Sequence, residues 1–291
     1  MREIALPADE TPKKLENFLK RQFPIGYIRK LFRKSGVRIN GRRAKPDDRL
    51  KPGDRVQLYI PFEAEKKPPA PIRKLELVFE DDALVVINKP AGLAVQEGKS
   101  VSKRESLSAI LEDRYRDSQI KPRLVHRLDK DTSGVLVIAK NQQAAEALIE
   151  NFDSGEVGKE YLSLVVGRVP YQDGKIDLPL PGREGHLVHA LTRYRVITRF
   201  SETTLVRVTI ETGRLHQIRL HFATLGYPVV MDEQHGDFRF NRRFRKEYGL
   251  KRQFLHAERL KLSHAGRLRE WRAPLPEDLR STLAKLGRSQ E

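Results

Sequence analysis

The chain has 291 residues, no cysteine, and 56 Lys and Arg against 39 Asp and Glu, a formal net charge of +17. Without cysteine, disulfides, thiolate catalysis and cysteine-ligated zinc are excluded, and the excess of positive charge calls for a polyanion, nucleic acid or an acidic membrane surface. The longest apolar runs, 84–87 and 134–139, are strand-sized and too short to span a bilayer. In chain order, the opening MREIALPADE carries no apolar stretch of signal-peptide length. A soluble, cytoplasmic chain of two domains that binds nucleic acid is expected.

Residues 11–60 hold 15 Lys and Arg against 4 Asp and Glu, net +11. Their first half predicts two short helices. In 14–22, Leu15, Phe18 and Leu19 share one face at i, i+3 and i+4 spacing, and Pro24 breaks the run. In 27–34, Ile28, Leu31 and Phe32 point inward, Arg29, Lys30, Arg33 and Lys34 point out, and Gly36 stops the helix. None of these four cations has an acid at i±4, which favours phosphate contact over a self-neutralised surface. Residues 37–60 predict short strands with turns at Asn40 and Gly41 and at Pro52 and Gly53. They add Arg38, Arg42 and Arg43 to the basic set. The run VRINGRRAKPDDRLKPGDRVQL after two basic helices resembles the S4 RNA-binding domain, which implies a small S4-like α/β domain over 1–62.

Residues 63–74, EAEKKPPAPIRK, combine three prolines with four basic residues and predict a semi-extended linker. Beyond it, strands are predicted at 77–79, 84–87, 135–138, 161–166, 194–197 and 205–210, and helices at 107–115, 144–152 and 215–225. Strand-dominated order with occasional helices predicts an α+β domain over 75–291, built on a mixed, largely antiparallel sheet. The stretch 238–252 interleaves seven Arg and Lys with Phe238, Phe240, Phe244 and Tyr248, which fits an RNA-contacting insertion or a basic surface loop pinned by aromatics.

The segment RLVHRLDKDTSGVLVIAK, 123–140, carries the strongest chemical signal. Five apolar residues from Val135 predict a buried strand, and the polar residues before them form a loop at its mouth. Asp129 lies there between Arg127 and Lys130, a cationic setting for a carboxylate, with the Thr132 and Ser133 hydroxyls available to close the turn onto backbone. By itself the loop reads equally well as an Asx-type turn. Arg219 lies in a predicted helix over 212–226, capped by Thr212 and stopped at Gly226. Tyr161 opens an apolar strand, and neither stands out alone. Five residues separate the glycines of GLAVQEGKS where a phosphate loop requires four, and the eight histidines lack HxxxH or HExxH spacing. No metal site is predicted.

HRLDKDTSG resembles the signature loop of the RluA family of pseudouridine synthases, VINKPAGLAVQ its first motif, and KEYLSLVVG and TGRLHQIRLH its tyrosine and arginine segments. The likeness extends to FLHAERLKLSH, similar to members acting on large-subunit ribosomal RNA; Gln96 and Leu215 depart from the usual His and Thr. The resemblance implies a pseudouridine synthase fold and catalysis by Asp129, with Arg219 paired to it and Tyr161 stacking on the detached base and available to accept the C5 proton. It also implies RNA contact by Arg127, ribosomal RNA as partner, a monomer, and no cofactor. The chemistry agrees, because uridine and pseudouridine are isomers. One bond is exchanged for another without redox change or energy input, and a carboxylate acting on the ribose suffices. A non-catalytic RNA-binding protein and a nucleotide-driven RNA enzyme are the alternatives.

Overall fold

A computed structural model describes residues 2–5, 14–60, 75–97, 106–182 and 185–288. The linker expected over 63–74 lies outside the described residues. The chain divides into two compact units, Met1–Pro68 and Pro69–Glu291. Among the described residues no helix is long and apolar enough to cross a membrane.

The first unit runs β1 (Arg2–Ala5), α1 (Leu15–Lys20), α2 (Ile25–Arg33), β2 (Val37–Ile39), β3 (Arg42–Arg43) and β4 (Arg55–Leu58), with its antiparallel strands in the order β1-β4-β2-β3. The helices pack Leu15, Leu19, Ile28 and Leu31 against Val37, Val56 and Leu58. Asn40 and Gly41 both take positive φ, 48° and 83°, the geometry of a two-residue hairpin turn. The end of α2 differs from the expectation. Ser35, not Gly36, takes the left-handed conformation, at φ 52°. Gly36 is needed for space instead, since a Cβ there would lie 2.6 Å from the Ile60 side chain.

The second unit begins with β5 (Glu76–Glu80), β6 (Leu84–Lys89), α3 (Leu107–Arg114), β7 (Arg123–Leu124), β8 (Ser133–Ala139), α4 (Gln142–Asp153) and β9 (Gly158–Val166). It continues with β10 (Asp173–Asp177), β11 (Leu180–Pro181), β12 (Leu187–Val188), β13 (Leu191–Arg199), β14 (Thr203–Ile210), α5 (Gln217–Thr224) and α6 (Phe238–Tyr248). It closes with β15 (Leu255–His264), β16 (Arg267–Arg272) and α7 (Glu277–Arg288). The main sheet runs β10-β13-β14-β9-β15-β8-β6-β5, with β16 beside β15 and β7 beside β8. Every named pair is antiparallel except β8 with β15. This is the mixed, largely antiparallel sheet expected.

Both faces of the sheet centre are covered, which is why β8 is apolar without alternation. Leu136 and Ile138 pack with Leu107 and Leu111 of α3, whereas Val135 and Val137 pack with Ala145 and Leu148 of α4. Where β8 and β15 run parallel, Gly134 faces Ala257 in register. Gly134 has φ 120°, and a Cβ there would lie 2.1 Å from the Ala257 carbonyl oxygen. Only glycine permits that approach.

Two further readings are corrected. Residues 238–248 form a helix rather than a loop, capped by Asp237, which accepts from the Arg239 and Phe240 amides at 2.9 and 3.0 Å. Phe240 and Phe244 are buried beneath it and Phe238 is exposed. The helix expected over 212–226 starts only at Gln217. The buried Gln217 side chain accepts from the Thr212 hydroxyl and the Arg214 amide and donates to the Leu191 carbonyl, which holds 212–216 as a turn.

Candidate active site

Three segments converge on the mouth of β8. Lys89, at the end of β6, is fully buried and donates to the carbonyls of Pro90, Leu93 and Lys130 at 3.0, 2.8 and 3.1 Å. The Gly92 amide donates to the same Lys130 carbonyl at 2.9 Å. The first motif therefore holds the loop that carries Asp129. The loop closes on itself through the Thr132 amide, which donates to the Asp129 carbonyl at 3.1 Å. The expected hydroxyl-to-backbone bonds are replaced by bonds to side chains. Thr132 accepts from Gln253 at 2.7 Å, and Ser133 pairs with His256 Nδ1 at 2.9 Å. Burial pushes the His256 imidazole down from its ordinary value. As the neutral form it donates Nε2–H to the Ala273 carbonyl, so Ser133 donates to Nδ1.

Asp129 meets Arg219 of α5, whose Nη1 donates to Asp129 Oδ2 at 3.0 Å. The two-pronged fork of the guanidinium goes elsewhere. Arg219 Nε and Nη2 grip the two oxygens of Asp232 at 2.6 and 2.8 Å, and Nη2 also reaches Gln234 at 3.0 Å. Asp232 is fully buried and accepts the Gln234 and His235 amides at 2.9 and 3.0 Å. Burial alone would raise its carboxyl, but Arg219 and the two amides outweigh burial and hold it below the usual carboxylate value. Asp232 thus fixes the arginine, and the arginine presents one N–H to Asp129.

Tyr161 on β9 borders the same cleft, a cavity of about 520 Å³ that Asp129, Arg127, Arg219, Lys159 and Gln96 also line. Burial, then the nearby Asp129 charge, push the Tyr161 phenol above its ordinary value. The resting tyrosine is therefore a protonated ring, suited to stacking and poorly suited to taking a proton. His216 stands at the head of α5 with φ 54°, its Nε2 3.9 Å from Asp129 Oδ1 and its Nδ1 3.0 Å from His235 Nε2. Burial lowers its pKa.

Asp129, Arg219 and Tyr161 are brought together, with Arg127 exposed at the rim. Arg29, Lys30, Arg33, Lys34, Arg38, Arg42 and Arg43 belong to the other unit, where all are exposed and none forms an ion pair among the described residues. Arg38 lies opposite Arg43 in the β2–β3 hairpin, which concentrates charge on that edge. Sequence reasoning missed Asp232, His216 and Lys89. Asp232 had no distinguishing signal, sitting among Glu233 and Asp237 in a polar stretch. Lys89 had one, a lysine closing an apolar strand.

Residues 83–224 match the family described as RNA pseudouridylate synthase. The chain is 36% identical to ribosomal large subunit pseudouridine synthase C of Escherichia coli strain K12, across 97% of this chain and 96% of that protein. It is 33% identical to the protein of the same description from Vibrio cholerae serotype O1, with 97% and 96% covered. The solved structure of human RNA Pseudouridylate Synthase Domain Containing 4 aligns with a TM-score of 0.61 at 26% identity, over 73% of this chain and 93% of that one. Likeness along almost the whole chain, together with the matching fold, makes this protein a member of the RNA pseudouridine synthase family.

Proposed function

We propose that this enzyme converts uridine to pseudouridine in large-subunit ribosomal RNA, with Asp129 as the catalytic carboxylate. The observation that carries the reading is the chain Asp129–Arg219–Asp232, a partly exposed carboxylate aimed into a cleft by an arginine that is itself immobilised. The names of the relatives support the choice of RNA. The reaction breaks C1′–N1, turns the base, and joins C5 to C1′; the proton lost from C5 balances the one gained at N1. Asp129 acts on the ribose as nucleophile or base, Arg219 orients it, and Tyr161 stacks on the detached base. The ring must leave the RNA stack first, because C1′ and C5 are not accessible within it. Arg127 at the rim contacts the backbone of the displaced strand.

The unit ahead of the catalytic one is an S4-like RNA anchor, with Arg29, Lys30, Arg33, Lys34, Arg38, Arg42 and Arg43 on phosphates. The enzyme works as a monomer in the cytoplasm, where ribosomal RNA is assembled. Asp129→Asn tests the reading. Asn keeps the shape and the turn but removes the charge and the reactive oxygen, so tritium release from C5-labelled uridine should fall about 10⁴-fold or more with RNA binding intact. Wild-type release by the Asn variant would overturn the mechanism. Comparing pseudouridines in ribosomal RNA with and without the protein identifies the target.

A further inference from the structure

Three lysines of the second unit are almost fully buried, and they do not resemble one another. Lys89 is saturated by three carbonyls, and Lys140 meets Glu80 at 3.1 Å and the Asp81 carbonyl at 2.6 Å. Both are accounted for by the fold. Lys159 is 7% exposed, yet its ammonium has one long bond, to the Glu211 carbonyl at 3.4 Å, and a Phe152 ring 5.7 Å away. It makes no ion pair among the described residues. The Glu211 carboxylate is turned away to Arg193 at 2.7 Å, and Asp153, which borders the cleft, does not pair with Lys159. Arg214 borders the same cleft, oriented by a bond from its Nε to the His189 carbonyl at 3.1 Å. His126 lies nearby and brings no charge, because burial first, then Lys159, pushes its imidazole down to about 3.

We propose that Lys159 and Arg214 form a phosphate subsite that holds the RNA backbone beside the reacting uridine. An unpaired buried ammonium next to a second cation is unfavourable in the empty protein, and an anion between them removes that cost. Burial, then the Arg214 charge, already push the Lys159 ammonium below its ordinary value, in keeping with a missing counter-charge. The placement fits a nucleotide. Lys159 and Tyr161 are two residues apart on β9, so they share one face of the strand about 6.6 Å apart. That separation matches the span from a base stacked on Tyr161 to its own backbone.

The subsite rests on the isomerase reading, and the test separates the two. The probe is a stem-loop of large-subunit ribosomal RNA with one C5-labelled uridine in its loop, and a single neutral methylphosphonate linkage placed immediately 5′ or 3′ of that uridine. Wild-type enzyme should bind one of the two neutral RNAs about tenfold more weakly than the all-phosphate RNA, the loss of one charge-assisted contact. Lys159→Met should lose the same factor on the all-phosphate RNA and nothing more on that neutral RNA, while Lys159→Arg retains most of the affinity. Urea midpoints check that each variant is folded. Losses that multiply independently at both linkages, or a Met variant that binds like wild type, would overturn the subsite. Failure of the wild-type enzyme to release C5 tritium from the all-phosphate RNA would sink the isomerase reading instead, and the binding cycle would still report on the phosphate contact.

Discussion

Two carboxylates share the Arg219 guanidinium unequally. Asp232, buried and doubly bonded, receives the fork, while Asp129, 18% exposed at its side chain, receives one N–H and keeps its other oxygen toward the cleft. Asp232→Asn should therefore act on both stability and turnover. Removing one partner of a buried pair typically costs about 3–5 kcal/mol, and a loosened Arg219 should lower kcat more than it raises KM. Urea denaturation and tritium release read the two effects, and a variant with native stability and turnover would show that Asp129 needs no such support. Glu233→Gln is the control. Glu233 pairs with Arg245 at 2.8 Å but is 71% exposed, and its loss should stay within about 0.5 kcal/mol. At this scale the sequence was readable where a motif marked it. Asp129, Arg219 and Tyr161 lie in three separate motifs that family likeness joins. Burial distinguishes Asp232 from Glu233, and adjacent acids in one polar loop carry no mark of which is buried.

Among the elements, the parallel pairing of β8 with β15 holds the signature loop in place. Gly134→Ala sets a methyl against the Ala257 backbone at a φ of 120° that alanine avoids. The expected loss is above about 4 kcal/mol, or failure to fold, measured as the shift of the urea midpoint. A shift near zero would mean that the strands can separate there without consequence. β8 was legible because burial on both faces leaves a continuous apolar run. β15 was not, although it lies at the centre of the sheet. Its sequence LHAERLKLSH mixes His256, Arg259 and Lys261 with the leucines, and the partner that helps satisfy the buried His256, Ser133, lies far away in sequence. The helix at 238–248 is hidden in the sequence for the opposite reason. Basic residues dominated the stretch and hid the i, i+4 spacing by which Phe240 and Phe244 seat it on the sheet.

For the whole molecule, charge and chemistry divide between the units. Residues 11–60 carry net +11 of the formal +17, and the cleft lies entirely in the second unit. A chain lacking residues 1–62 should bind large RNA more weakly and with a flatter salt dependence, each lost phosphate contact removing about 0.7–0.9 from the log–log slope. Turnover of a short, preformed stem-loop should survive. A slope unchanged by the deletion would remove the anchoring role. The two-domain plan was legible because composition shifts sharply at the proline-rich stretch; the pairing partners within the larger sheet were not, because register depends on contacts far apart in sequence. Those distances bear on how the enzyme is made. Thr132 and Ser133 are secured by Gln253 and His256, which lie 121 and 123 residues later in the chain. The loop carrying Asp129 can be locked only after those later residues have been synthesised, and such non-local closure is slow. With Asp129 in the proposed catalytic role, the nascent chain gains isomerase activity only once residues 253–256 have been made.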